Sequence, residues 1–206
     1  MIENSDKLVN FDMMEFSDAK DYIMERLIKE LPRDLYYHGA HHTLDVVKSV
    51  NSICRTEDII GEDYLLLLTA AYFHDAGYIY KYEHNEEIAV KMVRMVLPDF
   101  GYTEEQISIV VNIILSTKNS IEPQTILEKI MCDADHDYFG RHDYSKIAIS
   151  LRKELMVYEK EYEDKEWLRK QIDYLENHHV YYTSTAKKTR EPMKAKQIEK
   201  LKSMLN

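Results

Sequence analysis

Glycine and proline are scarce in this 206-residue chain, at five and four residues. A β-rich fold needs turn residues at intervals of about 8–12 positions, so their scarcity excludes most sandwiches and barrels. Two cysteines, Cys54 and Cys132, cannot build a disulfide framework. Both fall in apolar helical patterns and read as reduced, buried thiols. Long apolar runs are missing too: the longest, "YLLLLTAAYF", is about half of the ~20 residues a spanning helix requires. The first residues, "MIENSDKLVNFDMMEF", are acidic and have no apolar signal segment. The expectation is a cytoplasmic protein with no membrane partner. Positive charge is also in deficit, with a formal net charge of −10. A whole-surface nucleic-acid binder needs a surplus of Lys and Arg, which makes that class unlikely. The one basic stretch, "AKKTREPMKAKQIEKLK", reads as a solvated helix packing an Ile198, Leu201 and Leu205 stripe, with a phosphate contact as its functional alternative.

What remains is rich in Leu, Ile, Glu, Lys, Met and Tyr, and its periodicity is helical. The expected fold class is all-α: one multi-helix bundle with a C-terminal helical extension. Residues 1–30 hold a helix packing on the core, 31–160 the core and 161–206 the extension. Expected helices cover 17–31, capped by Ser17 and stopped by Pro32, then a second from the "YHGAHHTLDVV" stretch to about 55. Its stripe is Leu44, Val47, Val50 and Cys54. Others cover 62–74, apolar on nearly every side, then 85–97 and 103–116, opened by a Thr103–Gln106 capping box. A helix after Pro123 reaches Asp135, and further ones cover 143–162 and 164–181, with a last starting near Pro192.

Three segments concentrate metal-ligating side chains. On the second helix His38 and His42, four residues apart, face the same way, while His41 points about 100° off. His74-Asp75 ends the most apolar helix, where an imidazole and a carboxylate are costly to bury unless paired or bound to a cation. "IMCDADHDYFG" ends another apolar helix with Asp133, Asp135 and Asp137. Mixed imidazole and carboxylate donors suit Mn, Fe, Zn, Ni or Co and, less well, Mg, rather than a thiolate zinc cage or an all-oxygen calcium loop. Spacing alone leaves Asp133 and Asp135 both open.

The ordered pattern His42, then His74-Asp75, then Asp135 resembles the HD-domain superfamily of metal-dependent phosphohydrolases. "AAYFHDAGY" is similar to that family's HD segment, and "YHGAHHTLDVV" to the opening found in cyclic-nucleotide phosphodiesterases and other members, with Gly39 where those members have Asn. The resemblance spans residues 31–155 and implies that His42, His74, Asp75 and Asp135 ligate a divalent metal. It favours Asp135 over Asp133 because the family's Asp follows Ala. Asp75 would bridge a second metal, and His38 matches the histidine that protonates the leaving oxygen. His84 matches a further ligand of binuclear members, but "LSTKNS" stands where another histidine would be expected. One metal, or one tight and one weak, is the implied stoichiometry.

The reaction implied is hydrolysis of a phosphoester by a metal-activated water, on a nucleotide or other small phosphorylated molecule, with Asp75 and His38 as catalytic groups. Lys118 and Arg141, with Lys81, are candidate anion contacts because each adjoins a helix end near these segments. Tyr72, Tyr78, Tyr80 and Tyr82 could stack on a base, although core packing is the commoner role for each. His136, His142, His178 and His179 read as surface or packing residues. Competing readings are a non-enzymatic nucleotide- or metal-binding module and a di-iron oxygenase of the same core. The Met- and Tyr-rich surface is compatible with a homodimer.

Overall fold

A computed structural model describes residues 14–205, and these contain helices and turns but no strand. The first six helices are α1 (Phe16–Glu30), α2 (Ala40–Thr56), α3 (Gly61–Phe73), α4 (Asn85–Val96), α5 (Glu104–Leu115) and α6 (Ile126–Asp135). Then follow α7 (Tyr144–Tyr158), α8 (Asp164–Asp173), α9 (Ser184–Thr189) and α10 (Glu191–Ser203). None of these helices is long and apolar enough to cross a membrane.

The first core lies among α1 to α6 and is centred on α3, which buries Leu66–Leu68, Ala70, Ala71 and Phe73. Each fully buried Leu or Phe contributes about 1.5–3 kcal/mol, so this largely apolar helix is a main source of stability. α5 begins as expected: the Thr103 hydroxyl accepts the Gln106 N–H at 3.3 Å, and the Gln106 amide oxygen accepts the Thr103 N–H at 2.8 Å. α6 uses the same device with Thr125 and Glu128, and follows Pro123 and reaches Asp135 as expected. Ser17 caps nothing, because α1 already begins at Phe16 after an uncapped Glu15. Leu44, expected in the stripe of α2, is exposed; the buried face is Val46, Val47, Val50, Ile53 and Cys54.

A second core joins Tyr37, Tyr138 and Phe139 to Ala148 and Leu155 of α7, Trp167 of α8, and Ile198 and Leu201 of α10. The expected helix over 164–181 breaks up here. After α8 the chain makes one π-turn (Tyr174–His178), then runs extended from His179. The Asp133 carboxylate accepts two N–H groups farther along this run, Tyr182 at 2.8 Å and Thr183 at 2.7 Å, and Thr183 restarts the chain as the cap of α9. Sequence periodicity carries no trace of that carboxylate, which arrives from α6. The helix expected over 143–162 stops at Tyr158, and the Arg152 guanidinium donates to the Tyr162 carbonyl beyond it.

Two glycines allow the close approaches that shape this arrangement. A Cβ on Gly77 would lie 1.9 Å from the Asn85 carbonyl oxygen, so only glycine lets the turn after His74-Asp75 touch the start of α4. A Cβ on Gly140 would lie 2.5 Å from both Cβ and O of Arg190, where α10 begins against the turn Asp137–Gly140. The Arg190 guanidinium pairs with the buried Asp137 at 2.6 Å across that contact.

Candidate metal centre

α2, the end of α3 and the end of α6 bring His42, His74 and Asp135 to one point. One ligand atom from each lies within 4.8 Å of the others. His42 Nε2 is 3.0 Å from Asp135 Oδ1 and 3.5 Å from Asp75 Oδ2. His74 Nε2 is 3.2 Å from Asp75 Oδ2 and 3.8 Å from Asp135 Oδ1. His74 Nδ1 donates to the Ala71 carbonyl at 2.9 Å, which turns the lone pair of Nε2 toward the carboxylates. That Nε2 and Asp75 Oδ2 are both buried without a hydrogen-bond partner. Buried polar atoms are seldom left so, and an orphaned nitrogen lone pair facing an orphaned carboxylate oxygen is the donor set of a cation site.

The local electrostatics agree. Burial opposes charge on His74, but Asp75 and Asp135 overcome it and raise its pKa to about 9. Burial likewise opposes ionisation of Asp75 and Asp135, yet His74 holds the first, and His42 the second, below the usual carboxylate range. The two carboxylates thus favour a positive charge at this point, either a proton on His74 Nε2 or a cation in its place.

His38 lies outside α2, which starts at Ala40 after Gly39; four-residue helical spacing therefore does not orient it. Glu154 does. This carboxylate, fully buried on α7, accepts from His38 Nδ1, from the Tyr37 N–H at 2.7 Å, from the His38 N–H at 3.0 Å and from the Tyr82 hydroxyl at 3.3 Å. The His38 ring stacks on Tyr78 with centroids 4.4 Å apart and lies 5.7 Å from the His42 ring. Burial acts to lower its pKa, but the Glu154 hydrogen bond and Asp75 outweigh that and leave it raised. Glu154 escaped sequence reasoning. Its signal was a charge beside Ala148, Leu151 and Leu155, on the apolar stripe of α7.

His38, Asp75 and Asp135 line a cavity of about 460 Å³ whose far side is Leu151, Leu155, Trp167 and Leu175. The other expected residues lie elsewhere. His84 takes a left-handed conformation (φ 60°) before α4, with its side chain 71% exposed and Nδ1 3.9 Å from Glu87 Oε1; it does not join the His42, His74 and Asp135 group. Lys118 is paired with Glu87. Arg141 is held by Asp45 at 2.7 Å and by Asp143 at 2.8 and 2.9 Å, and neither cation lines the cavity. Lys81 pairs with Glu83 at 3.1 Å. Tyr78 and Tyr82 pack around His38, whereas Tyr72 packs on Phe16 and Tyr80 is exposed. Asp133 serves the N-terminus of α9, as described, and His41 is exposed. His136 packs on Phe139 and lines the cavity, His179 is buried, and His142 and His178 are exposed.

Residues 39–139 match the family model described as HD domain, from the cap of α2 to the turn after Asp135. No curated protein and no solved structure matches the chain.

Proposed function

This chain carries an HD domain, and on that footing we propose that it is a metal-dependent phosphohydrolase acting on a small phosphoester, a nucleotide being the leading class. The observation that carries the reading is the convergence of His42, His74 and Asp135, with unpartnered atoms on His74 and Asp75, at a cavity that His38 also lines. His42, His74, Asp135 and Asp75 would hold the cation, and their mixed donors suit Mn, Fe, Zn, Ni or Co better than Mg. A bound divalent cation lowers the pKa of water toward neutrality and polarises a phosphoryl oxygen.

The chain's own residues supply the proton transfers. The attacking water would pass its proton to the Asp75 carboxylate, which the Asn85 amide, 3.4 Å from Oδ1, holds in place. The bond from phosphorus to the leaving oxygen breaks, and that oxygen takes a proton from His38 Nε2. Glu154 keeps a proton on Nδ1, which leaves Nε2 as the nitrogen that takes up and gives away the transferable proton, and it stabilises the charged ring. Tyr37, packed on the His42 ring at 4.6 Å, and Tyr78 under His38 keep the reacting face narrow. A cytoplasmic setting accords with Cys54 and Cys132, both buried and free.

The test is a panel of aryl phosphates, nucleotides and cyclic nucleotides, run with each candidate metal on the wild type and on Asp75→Ala. Turnover that follows bound metal and disappears with it in the variant is expected. Undiminished turnover by a metal-free Asp75→Ala protein, or none by the metal-loaded wild type on any ester, would overturn the reading.

A further inference from the structure

We propose that α7, α8 and the π-turn make the far half of the cavity a pocket for an aromatic ring, so that the substrate is a singly phosphorylated ester of an aromatic-bearing molecule and not a polyphosphate. This rests on the phosphohydrolase reading of the metal centre. It concerns the part of the cavity that lies beyond the matched residues 39–139.

The first argument is charge. Among the described residues Lys170 is the one Lys or Arg on the lining, against the carboxylates Asp75, Glu86 and Asp135. A divalent cation offsets Asp75 and Asp135, Lys170 offsets Glu86, and Glu154 already offsets His38. The cation and His38 are then the positive centres that one phosphoryl group meets directly; a second or third phosphate would have no such centre and would face Glu86 and the other phosphates, and like charges in a partly enclosed site repel strongly. Lys118 and Arg141, which could have supplied such a centre, are engaged with carboxylates outside the cavity.

The second argument is shape and surface. The volume of about 460 Å³ falls in the range of small-molecule sites. Tyr144 and Trp167 line its far half together with Leu151, a surface suited to a flat ring by stacking and edge contacts. Polar groups there are few and partly engaged: Gln171 accepts the Tyr144 hydroxyl at 2.8 Å, and Asn119 accepts the Tyr174 hydroxyl at 2.8 Å. Gln171 Nε2 donates one N–H to the Trp167 carbonyl at 3.4 Å, and each amide keeps at least one N–H to meet acceptors on a ring edge.

Trp167 is the chain's single tryptophan, so its emission reports on this pocket alone. The metal-loaded full chain is titrated with phenylphosphonate, adenosine monophosphate, inorganic phosphate and tripolyphosphate, by calorimetry and by Trp167 fluorescence. Phenylphosphonate or the nucleotide should bind at least tenfold more tightly than phosphate and shift the emission, and tripolyphosphate should gain nothing over phosphate. Leu151→Asp, at a half-buried position, should weaken the aromatic ligands about tenfold and leave phosphate within twofold; Leu151→Asn repeats the measurement if the first variant does not fold. Tighter binding of the nucleotide assigns the ring to a nucleobase, and tighter binding of phenylphosphonate to a simple aryl ester; each supports the proposal. Tripolyphosphate binding more tightly than both aromatic ligands, or an equal loss for phosphate in the Leu151 variants, would overturn it. Aromatic ligands that bind as expected without turnover of any ester would instead overturn the hydrolase reading and leave the ring pocket standing.

Discussion

Replacing Glu154 by glutamine removes one negative charge from a fully buried position and keeps the side chain's shape. In the native protein one oxygen accepts the Tyr37 and His38 N–H groups, and the other meets His38 Nδ1 and the Tyr82 hydroxyl. The amide carbonyl can still serve the two backbone donors, but the NH2 group must now donate where Nδ1–H donated before. A hydrogen bond to a charged group contributes about 1.5–3 kcal/mol, so the protonated ring loses roughly that much support. At about 1.4 kcal/mol per decade, the rate for an ester with a poor leaving group should fall about 10- to 100-fold. An ester of 4-nitrophenol, whose leaving oxygen needs no proton, should lose less than threefold. Metal content should not change, because Glu154 touches none of the four proposed ligands. In a His38→Ala background the same substitution should have no further effect on rate. Equal losses for good and poor leaving groups, loss of metal, or a full additive effect on top of His38→Ala would each refute the assignment of Glu154 as the positioning partner of an acid.

Asp133→Ala and Asp135→Ala should separate cleanly despite their two-residue spacing. The first strands the Tyr182 and Thr183 N–H groups at about 1–3 kcal/mol each and should lower Tm by several degrees with metal content intact, whereas the second should abolish metal binding in elemental analysis. Gly77→Ala places a Cβ 1.9 Å from the Asn85 carbonyl oxygen and should leave little folded protein by circular dichroism; a variant as stable as wild type would contradict the close approach. Glu57 accepts from the Thr185 hydroxyl and N–H and from the Ser184 hydroxyl, and these bonds hold its pKa below the ordinary 4.5. A depressed carboxylate stabilises above its unfolded pKa and loses that contribution as pH falls through the folded value. Denaturation at a series of pH values should therefore find Glu57→Gln less stable than wild type at pH 7 and indistinguishable well below pH 4.5; a pH-independent difference would exclude the linkage.

Elements fixed by local pattern were legible in the sequence, and contacts made at long range were not. The largely apolar stretch of α3, the Thr103–Gln106 box and the stops at Pro32 and Pro98 follow from composition within a few residues of each feature. His42, His74 and Asp135 were readable because each ends or begins a helix in a recurrent order, and the structure brings these three together. His38 was expected on the helix face that bears His42. It instead precedes the helix and is turned by a residue 116 positions away, which no periodicity can reveal. Lys118 and Arg141 were chosen for nearness along the chain, and each is drawn to a closer carboxylate once the helices pack. The division of the helix expected over 164–181 likewise reflects Asp133 competing for backbone N–H groups from another element.

The carboxylate that steadies His38 belongs to a helix made after every proposed ligand of the cation. On the proposed reading, the residues that would hold the cation all precede Gly140 in the chain, and the partner of the acid follows it. A nascent or truncated product ending near Gly140 would carry His42, His74, Asp75 and Asp135 but nothing to anchor His38 and no far wall to its cavity. On the proposed reading such a product keeps the donors for a cation and loses the proton that a poor leaving group requires, so the reactive groups of the site are divided between the matched residues and a helix outside them.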